Sequence, residues 1–201
     1  ISSIDNISKY LAIFMLIDAF EPCIHSELIE QFSVFIPIVD SAIETNDRDT
    51  IEAAASFLRE LSNDETLICI ILDTFEPKLL SFLESDVVLE TLEEIYRMSN
   101  KSRSLAEYTQ SLTSLLNQFS QVPVDPYHIE KVIGCIAYLN LLMCPDSPDA
   151  FGKIEECFSH VRPFLLQMFG SEDPSLIGPA IFCFSTFGDK NHLMIKDDIP
   201  S

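Results

Sequence analysis

The sequence predicts an all-α fold in which short amphipathic helices stack in successive layers. Apolar residues recur at steps of three and four along much of the chain, as they do on one face of a helix. Clean apolar–polar alternation between glycine turns is absent, and the 201 residues include only 5 glycines, so a sheet has little support. Hydrophobic residues make up 47% of the chain, which is enough to bury a substantial core.

The helical spacing is clearest in residues 47–62 and 85–99. The apolar stripes consist of Ile51, Ala54, Ala55, Leu58 and Leu61 in the first segment, and of Val88, Leu92, Ile95 and Met98 in the second. Further helices are predicted at about 4–19, 26–44, 64–72, 76–84, 103–120 and 150–169. We expect Pro37 and Pro163 to kink or break two of these, and Pro179 to bend the last helix, because proline removes a backbone hydrogen bond.

Four helix starts are marked by residues that cap helices well. The residues are Asp47, Ser85, Asp125 and Asp173, whose side chains can accept hydrogen bonds from first-turn N–H groups. After the last two, a proline occupies the first helical position, where its missing N–H costs nothing.

The four starts recur roughly every 40 residues, with a longer final interval, and each opens a group of two or three helices. That period is typical of armadillo and HEAT repeats, which bury their apolar faces against their neighbours. The sequence therefore predicts one right-handed α-solenoid across residues 1–201, with repeats beginning near 47, 85, 125 and 173. Because the first residue is Ile, we expect it to be part of a longer chain.

The charge balance narrows the classes of partner. Acidic residues outnumber Lys and Arg by 32 to 12, for a net charge of −20. This argues against nucleic acid and anionic membranes, and it favours a basic protein partner; charge that serves only solubility remains an alternative. No apolar run approaches the roughly 20 residues of a membrane span. Six scattered cysteines without a C-x-x-C pair indicate reduced thiols, as in the cytoplasm or nucleus.

Enzymatic chemistry finds little support. The pairs Cys23 with His25 and Cys157 with His160 each offer two metal ligands, whereas a structural zinc site needs four. Cys157 and His160 could also form a thiol–base pair, but no third residue is marked to orient them. Glycine-rich phosphate loops and G-x-S-x-G are missing. We predict no catalytic residue, metal or cofactor.

Residues 125–190 resemble a known family. The segments DPYH (125–128), LNLLMCPDSPDAF (139–151) and VRPFLLQMFGSEDPSLIGPAIFCFSTFGD (161–189) together are similar to the 26S proteasome non-ATPase regulatory subunit 5 family. The matching positions are Asp146, Ser147 and Pro148, then Ser171, Asp173, Pro174, Ile177, Gly178, Ala180 and Gly188. The resemblance covers about a third of the chain; residues 1–124 are similar to the family only in their helical pattern.

The resemblance implies a HEAT/armadillo-like solenoid without catalytic activity. It implies a chaperone for assembly of the proteasome base, which binds the C-terminal domain of an AAA+ ATPase subunit and departs as the particle forms. The alternative is an unrelated armadillo or HEAT adaptor or scaffold that binds a basic peptide or subunit.

In armadillo-type repeats the helix after the capping residue tends to line the concave groove. Outward positions four residues apart lie on one face. Aligning the copies by their apolar stripes places eight residues along this line: Ser56, Glu60, Glu93, Arg97, Gly134, Tyr138, Phe182 and Thr186. We predict that they hold the partner through acidic steering and aromatic anchors.

Overall fold

The computed structural model describes residues 36–45, 47–119, 125–143 and 148–190. The chain divides into two compact units, Ile1–Ser99 and Asn100–Ser201, called here the first and second units. Within the described ranges the regular structure is α-helical and contains no strand, so the all-α prediction is confirmed there. The helix predicted at 4–19 and the beginning of that at 26–44 lie outside these ranges.

The first unit contains four named helices after a helical stretch at residues 36–43. They are α1 (Arg48–Leu61), α2 (Glu65–Thr74), α3 (Glu76–Leu79) and α4 (Asp86–Met98). Asp47 caps α1 by accepting a hydrogen bond from Thr50 N, and Ser85 caps α4 by accepting one from Val88 N. The helix starts predicted at Asp47 and Ser85 are therefore confirmed.

Helices α1 and α4 lie side by side and run in the same direction. Glu52 Oε1 accepts a hydrogen bond from Ser85 Oγ at 2.8 Å near their beginnings, and Arg59 Nη1 lies 2.9 Å from Glu90 Oε2 further along. The predicted apolar stripes form the core between them, with Leu58 fully buried. Only Met98, at the end of α4, is half-buried.

Helix α3 is shorter than predicted. It ends at Leu79, and the chain continues to residue 84 through turns in which Ser81 N bonds to Lys78 O and Phe82 N to Leu79 O. A buried polar contact ties this short helix to α4, because Tyr96 Oη donates to Glu76 Oε1 at 2.6 Å. The prediction of a helix through residue 84 is wrong, because turns closed by hydrogen bonds between residues i and i+3 replace the second half of the predicted helix.

The second unit contains α5 (Leu105–Gln118), α6 (Pro126–Leu142), α7 (Pro148–Phe169) and α8 (Pro174–Lys190). Asp125 Oδ1 accepts from Tyr127 N at 3.0 Å, and Asp173 Oδ1 accepts from Ser175 N at 2.9 Å. The predicted starts of α6 and α8 are therefore also confirmed.

Pro163 does not break α7, contrary to one of the predicted outcomes. Its ring leaves the carbonyl of Ser159 without an amide partner, but both residues are exposed, so water can hydrate that carbonyl. Pro179 is likewise contained within α8. The packing of both helices against their neighbours outweighs the missing bonds.

Consecutive helices of the second unit run in opposite directions. Arg103 N, just before α5, bonds to Leu142 O at the end of α6 at 2.8 Å. Further along α5, Tyr108 Oη lies 2.6 Å from Asn140 Oδ1, two residues earlier in α6. Residues later in α5 therefore contact residues earlier in α6, so the two helices are antiparallel.

Alternate helices of this unit run in the same direction. The rings of Tyr138 in α6 and Phe182 in α8 have centroids 4.9 Å apart, and the beginnings of both helices border the same cavity. Helix α5 pairs with α7 in the same way: Tyr108 lies close enough to Cys157 to influence its thiol, and further along Phe119 stacks on Phe164 with ring centroids 4.2 Å apart.

A buried chain of hydrogen bonds joins α5, α6 and α8. Tyr108 Oη donates to Asn140 Oδ1 at 2.6 Å, and Asn140 Nδ2 donates to Thr186 Oγ1 at 3.4 Å. Thr186 Oγ1 then donates to Cys183 O at 2.8 Å. All four residues are at most 1% exposed, so no solvent can replace a lost partner.

Tyr108→Phe is expected to lower the free energy of unfolding by about 1–3 kcal/mol, because it removes a buried donor and leaves Asn140 Oδ1 without it. Urea denaturation followed by circular dichroism measures the change. Tyr127→Phe is the matched control: Tyr127 is 43% exposed, so a change within about 0.5 kcal/mol is expected. Equal effects of the two substitutions would contradict a structural role for the buried hydroxyl.

The capping box of α5 makes stability depend on pH. Glu107 Oε2 accepts hydrogen bonds from Ser104 Oγ at 2.6 Å and Ser104 N at 2.8 Å, and these bonds lower the pKa of Glu107. A lowered folded-state pKa means that the stabilisation is complete above the unfolded-state value and is lost as the pH falls through the folded-state value.

Glu107→Gln is therefore expected to destabilise the protein by about 1 kcal/mol near neutral pH, and the difference should shrink as the pH falls below about 4. Urea midpoints measured between about pH 7 and pH 3 test this. Glu155→Gln, an exposed change on α7, should alter stability by less than about 0.5 kcal/mol throughout. A pH-independent effect of Glu107→Gln would refute the capping account.

Candidate partner-binding surface

The first unit contributes four of the eight predicted binding residues. On α1, Ser56 is half-buried and Glu60 is exposed; on α4, Glu93 is half-buried and Arg97 is exposed. Each helix therefore exposes one of its two predicted residues to solvent.

The register between α1 and α4 differs from the predicted alignment by about one turn. The sequence alignment paired Ser56 with Glu93, an offset of 37 residues. The observed cross-helix contacts join residues 33 and 31 positions apart. This register places Glu60, rather than Ser56, level with Glu93, so the two carboxylates lie at the same height on neighbouring parallel helices.

The surface of the first unit is strongly acidic. Residues 36–99 contain 15 acidic and 4 basic side chains, a net charge of −11. All four basic residues pair with carboxylates within the unit: Arg48 with Glu52, Arg59 with Glu90, Lys78 with Asp40 and Glu44, and Arg97 with Glu94. Sequence spacing could not identify the Arg59–Glu90 pair, because its members are 31 residues apart. These cations are engaged in local ion pairs, and residues 36–99 keep a net excess of negative charge.

The second unit contributes the other four predicted residues. Tyr138 and Phe182 are half-buried and contact each other, whereas Gly134 and Thr186 are buried. Neither of the two buried residues offers surface to a partner in this structure; Thr186 instead bonds to Asn140. The predicted alignment set Tyr138 beside Thr186, but its observed neighbour is Phe182, one turn earlier in α8.

Cys157 and His160, whose spacing would suit a thiol–base pair, occupy two different environments. Cys157 is fully buried, and burial raises the pKa of its thiol to about 12. His160 is exposed, with its Nδ1 2.7 Å from Glu156 O. A thiol that stays protonated and inaccessible is a poor nucleophile, so this pair does not assemble a catalytic dyad.

The described residues contain no group of three or more His, Cys, Asp or Glu side chains arranged to hold a metal ion. The pair Cys23 and His25 lies outside the described ranges. No helix in these ranges combines the length and apolar character needed to cross a membrane.

No family model matches the sequence, and no curated protein matches it. The resemblance of residues 125–190 to the proteasome chaperone family therefore depends on the quoted motifs alone.

Burial predicts different reactivities for the cysteines. Cys157 and Cys183 are fully buried with raised thiol pKa values, whereas Cys69 is half-buried. In the folded protein, iodoacetamide should label Cys69 at least about tenfold faster than either buried thiol. Peptide mass spectrometry measures the labelling, and the urea-unfolded protein is the control in which the rates converge. Rapid labelling of native Cys157 would reopen the thiol hypothesis.

Proposed function

We propose that this chain is a non-enzymatic protein-binding module of the HEAT/armadillo type, and that it acts as a chaperone in assembly of the proteasome base. Its partner is then the C-terminal domain of an AAA+ ATPase subunit. The observation that carries a protein-binding role is the acidic surface of the first unit. Since the four cations among residues 36–99 are paired internally, that surface attracts a basic partner over the Debye length of about 8 Å at physiological salt.

The helix packing supports a repeat architecture in each unit. In stacked helical repeats, equivalent helices of adjacent repeats run in the same direction, while helices within a repeat run in opposite directions. In the first unit α1 and α4 are parallel. In the second unit α5 and α7 are parallel, α6 and α8 are parallel, and α5 opposes α6. Continuation of both units into one right-handed solenoid is part of the proposal.

The choice of a proteasome chaperone follows from the family resemblance. Its motifs form the capped start and the body of α8, from Asp173 to Gly188, and this helix packs on α6 and α7. Such a chaperone acts in the cytoplasm or nucleus. An adaptor for an unrelated basic peptide uses the same acidic surface, and the nature of the captured partner separates the two functions.

Pull-down with the isolated C-terminal domains of the six proteasomal ATPases tests the chaperone assignment. Selective capture of one domain is expected, because an assembly chaperone must distinguish similar subunits. Capture of none, or equal capture of all six, contradicts it. An unrelated helical domain of matching positive charge controls for attraction by charge alone.

Glu60→Lys combined with Glu93→Lys should weaken binding of the captured domain about tenfold at low salt. The two substitutions replace carboxylates at the same height on α1 and α4 by ammonium groups, which repel a basic partner. The salt dependence of the affinity should also flatten. Glu65→Lys with Asp73→Lys gives the same change in net charge at exposed positions of α2, and it should have a smaller effect. Calorimetric titration at two salt concentrations measures both. Equal weakening by the two double variants would exclude a localised site.

A further inference from the structure

A cavity of about 350 Å³ lies in the second unit, at the end of α7 and the beginnings of α6 and α8. Its apolar wall consists of Pro126, Ile129, Phe164, Met168 and Leu176. It opens to solvent, because Pro126 and the lining residue Gln167 are exposed. The volume is at the small end of the range for ligand pockets, and it suits one or two apolar side chains better than a cofactor.

Exposed carboxylates surround this cavity. Asp125 directly precedes the lining residue Pro126, while Glu172 and Asp173 directly follow the lining residue Ser171. Neighbouring Cα atoms are about 3.8 Å apart, so all three acids lie at the rim. All three are exposed.

Among the described residues, the cations nearest in sequence to the cavity lining lie on other helix faces. At 3.6 residues per turn, Lys131 lies on the side of α6 opposite Pro126 and Ile129, and Arg162 lies on the side of α7 opposite Phe164 and Met168. Lys131 is further held over the Tyr127 ring and 3.7 Å from Glu130 Oε1. The charge at the rim is therefore negative.

The helix beginnings at this cavity do not form an anion site. Asp125 accepts the first-turn amide of Tyr127, and Asp173 accepts that of Ser175. These bonds occupy amides that a phosphate would need. The bonds from Ser175 also lower the pKa of Asp173, so its carboxylate stays ionised at neutral pH.

We propose that this cavity docks a basic peptide segment of a protein partner, which inserts one aliphatic side chain while its flanking Lys or Arg side chains meet Asp125, Glu172 and Asp173. The apolar wall supplies the affinity for the anchor, and the rim selects positive flanks. The inference rests on the proposed protein-binding function and deepens it, because it names the chemistry of the segment held by the second unit.

Three synthetic peptides with blocked ends test the site on the whole chain. They are Lys-Lys-Leu-Lys-Lys, its anchorless form Lys-Lys-Ala-Lys-Lys, and its charge-reversed form Glu-Glu-Leu-Glu-Glu. The readout is the ¹³C-methyl resonance of Met168, a lining residue that is 4% exposed. The leucine peptide should shift this resonance saturably, and the alanine peptide should bind at least about tenfold more weakly. The acidic peptide should leave the resonance unchanged.

Two variants localise the effect. Gln167→Phe fills the cavity from an exposed position and should abolish the shift, while Gln110→Phe makes the same change at an exposed position of α5 and should not. Glu172→Lys should weaken binding about two- to fivefold, whereas Glu155→Lys, elsewhere on α7, should have less effect.

The proposal is overturned if Met168 responds to none of the peptides, or if the alanine peptide binds as tightly as the leucine peptide. It is also overturned if the acidic peptide binds equally well, since the rim then selects nothing. No ATPase domain enters this experiment. If the pull-downs fail but the leucine peptide binds, the chaperone assignment is wrong and the proposed docking site stands. If the pull-downs succeed but the peptide does not bind, only the docking site is wrong.

Discussion

The buried hydrogen bonds from Tyr108 through Asn140 to Thr186 constrain the second unit more than any other feature. Apolar packing alone tolerates small slips between helices, because one aliphatic contact can replace another. A buried amide that loses its partners costs about 1–3 kcal/mol, so sliding α8 past α6 by one turn is unfavourable. The chain thereby fixes which aromatic residues meet, including Tyr138 with Phe182. Cys157 is fully buried in the same unit, and this burial raises the pKa of its thiol.

The first unit uses a related device at a different place. Tyr96 donates to the buried carboxylate of Glu76, which joins the short α3 to α4. The parallel alignment of α1 with α4 is then set nearer the surface by Arg59 with Glu90 and by Ser85 with Glu52. These surface contacts are individually weak, so the apolar stripe beneath them supplies most of the stability. Their role is to select one register among several that the stripe would tolerate.

This division explains which features could be predicted from the sequence. Helix starts depend on local signals, and Asp47, Ser85 and Asp125 cap helices where their sequence context predicts. The predicted apolar stripes are buried for the same reason. The register between helices depends on pairs far apart in the sequence, such as Asn140 with Thr186, 46 residues apart. Aligning the apolar stripes of successive helices by their periodicity leaves the register between two helices uncertain by one turn. As a result, Thr186 was predicted to face a groove, although it bonds within the core.

The two units also differ in the chemistry that they offer to a partner. Residues 36–99 carry a net charge of −11, whereas the described residues of the second unit carry 9 acidic and 6 basic side chains. Charge attracts a partner from a distance but discriminates poorly between basic surfaces. An apolar cavity attracts a partner only at contact. It distinguishes between partners by the shape of the side chain that enters it and by the free energy gained when that side chain leaves water. In the proposed function, selection of one basic partner among several similar ones would draw on both properties. A surface that bears charge alone would not distinguish between such partners.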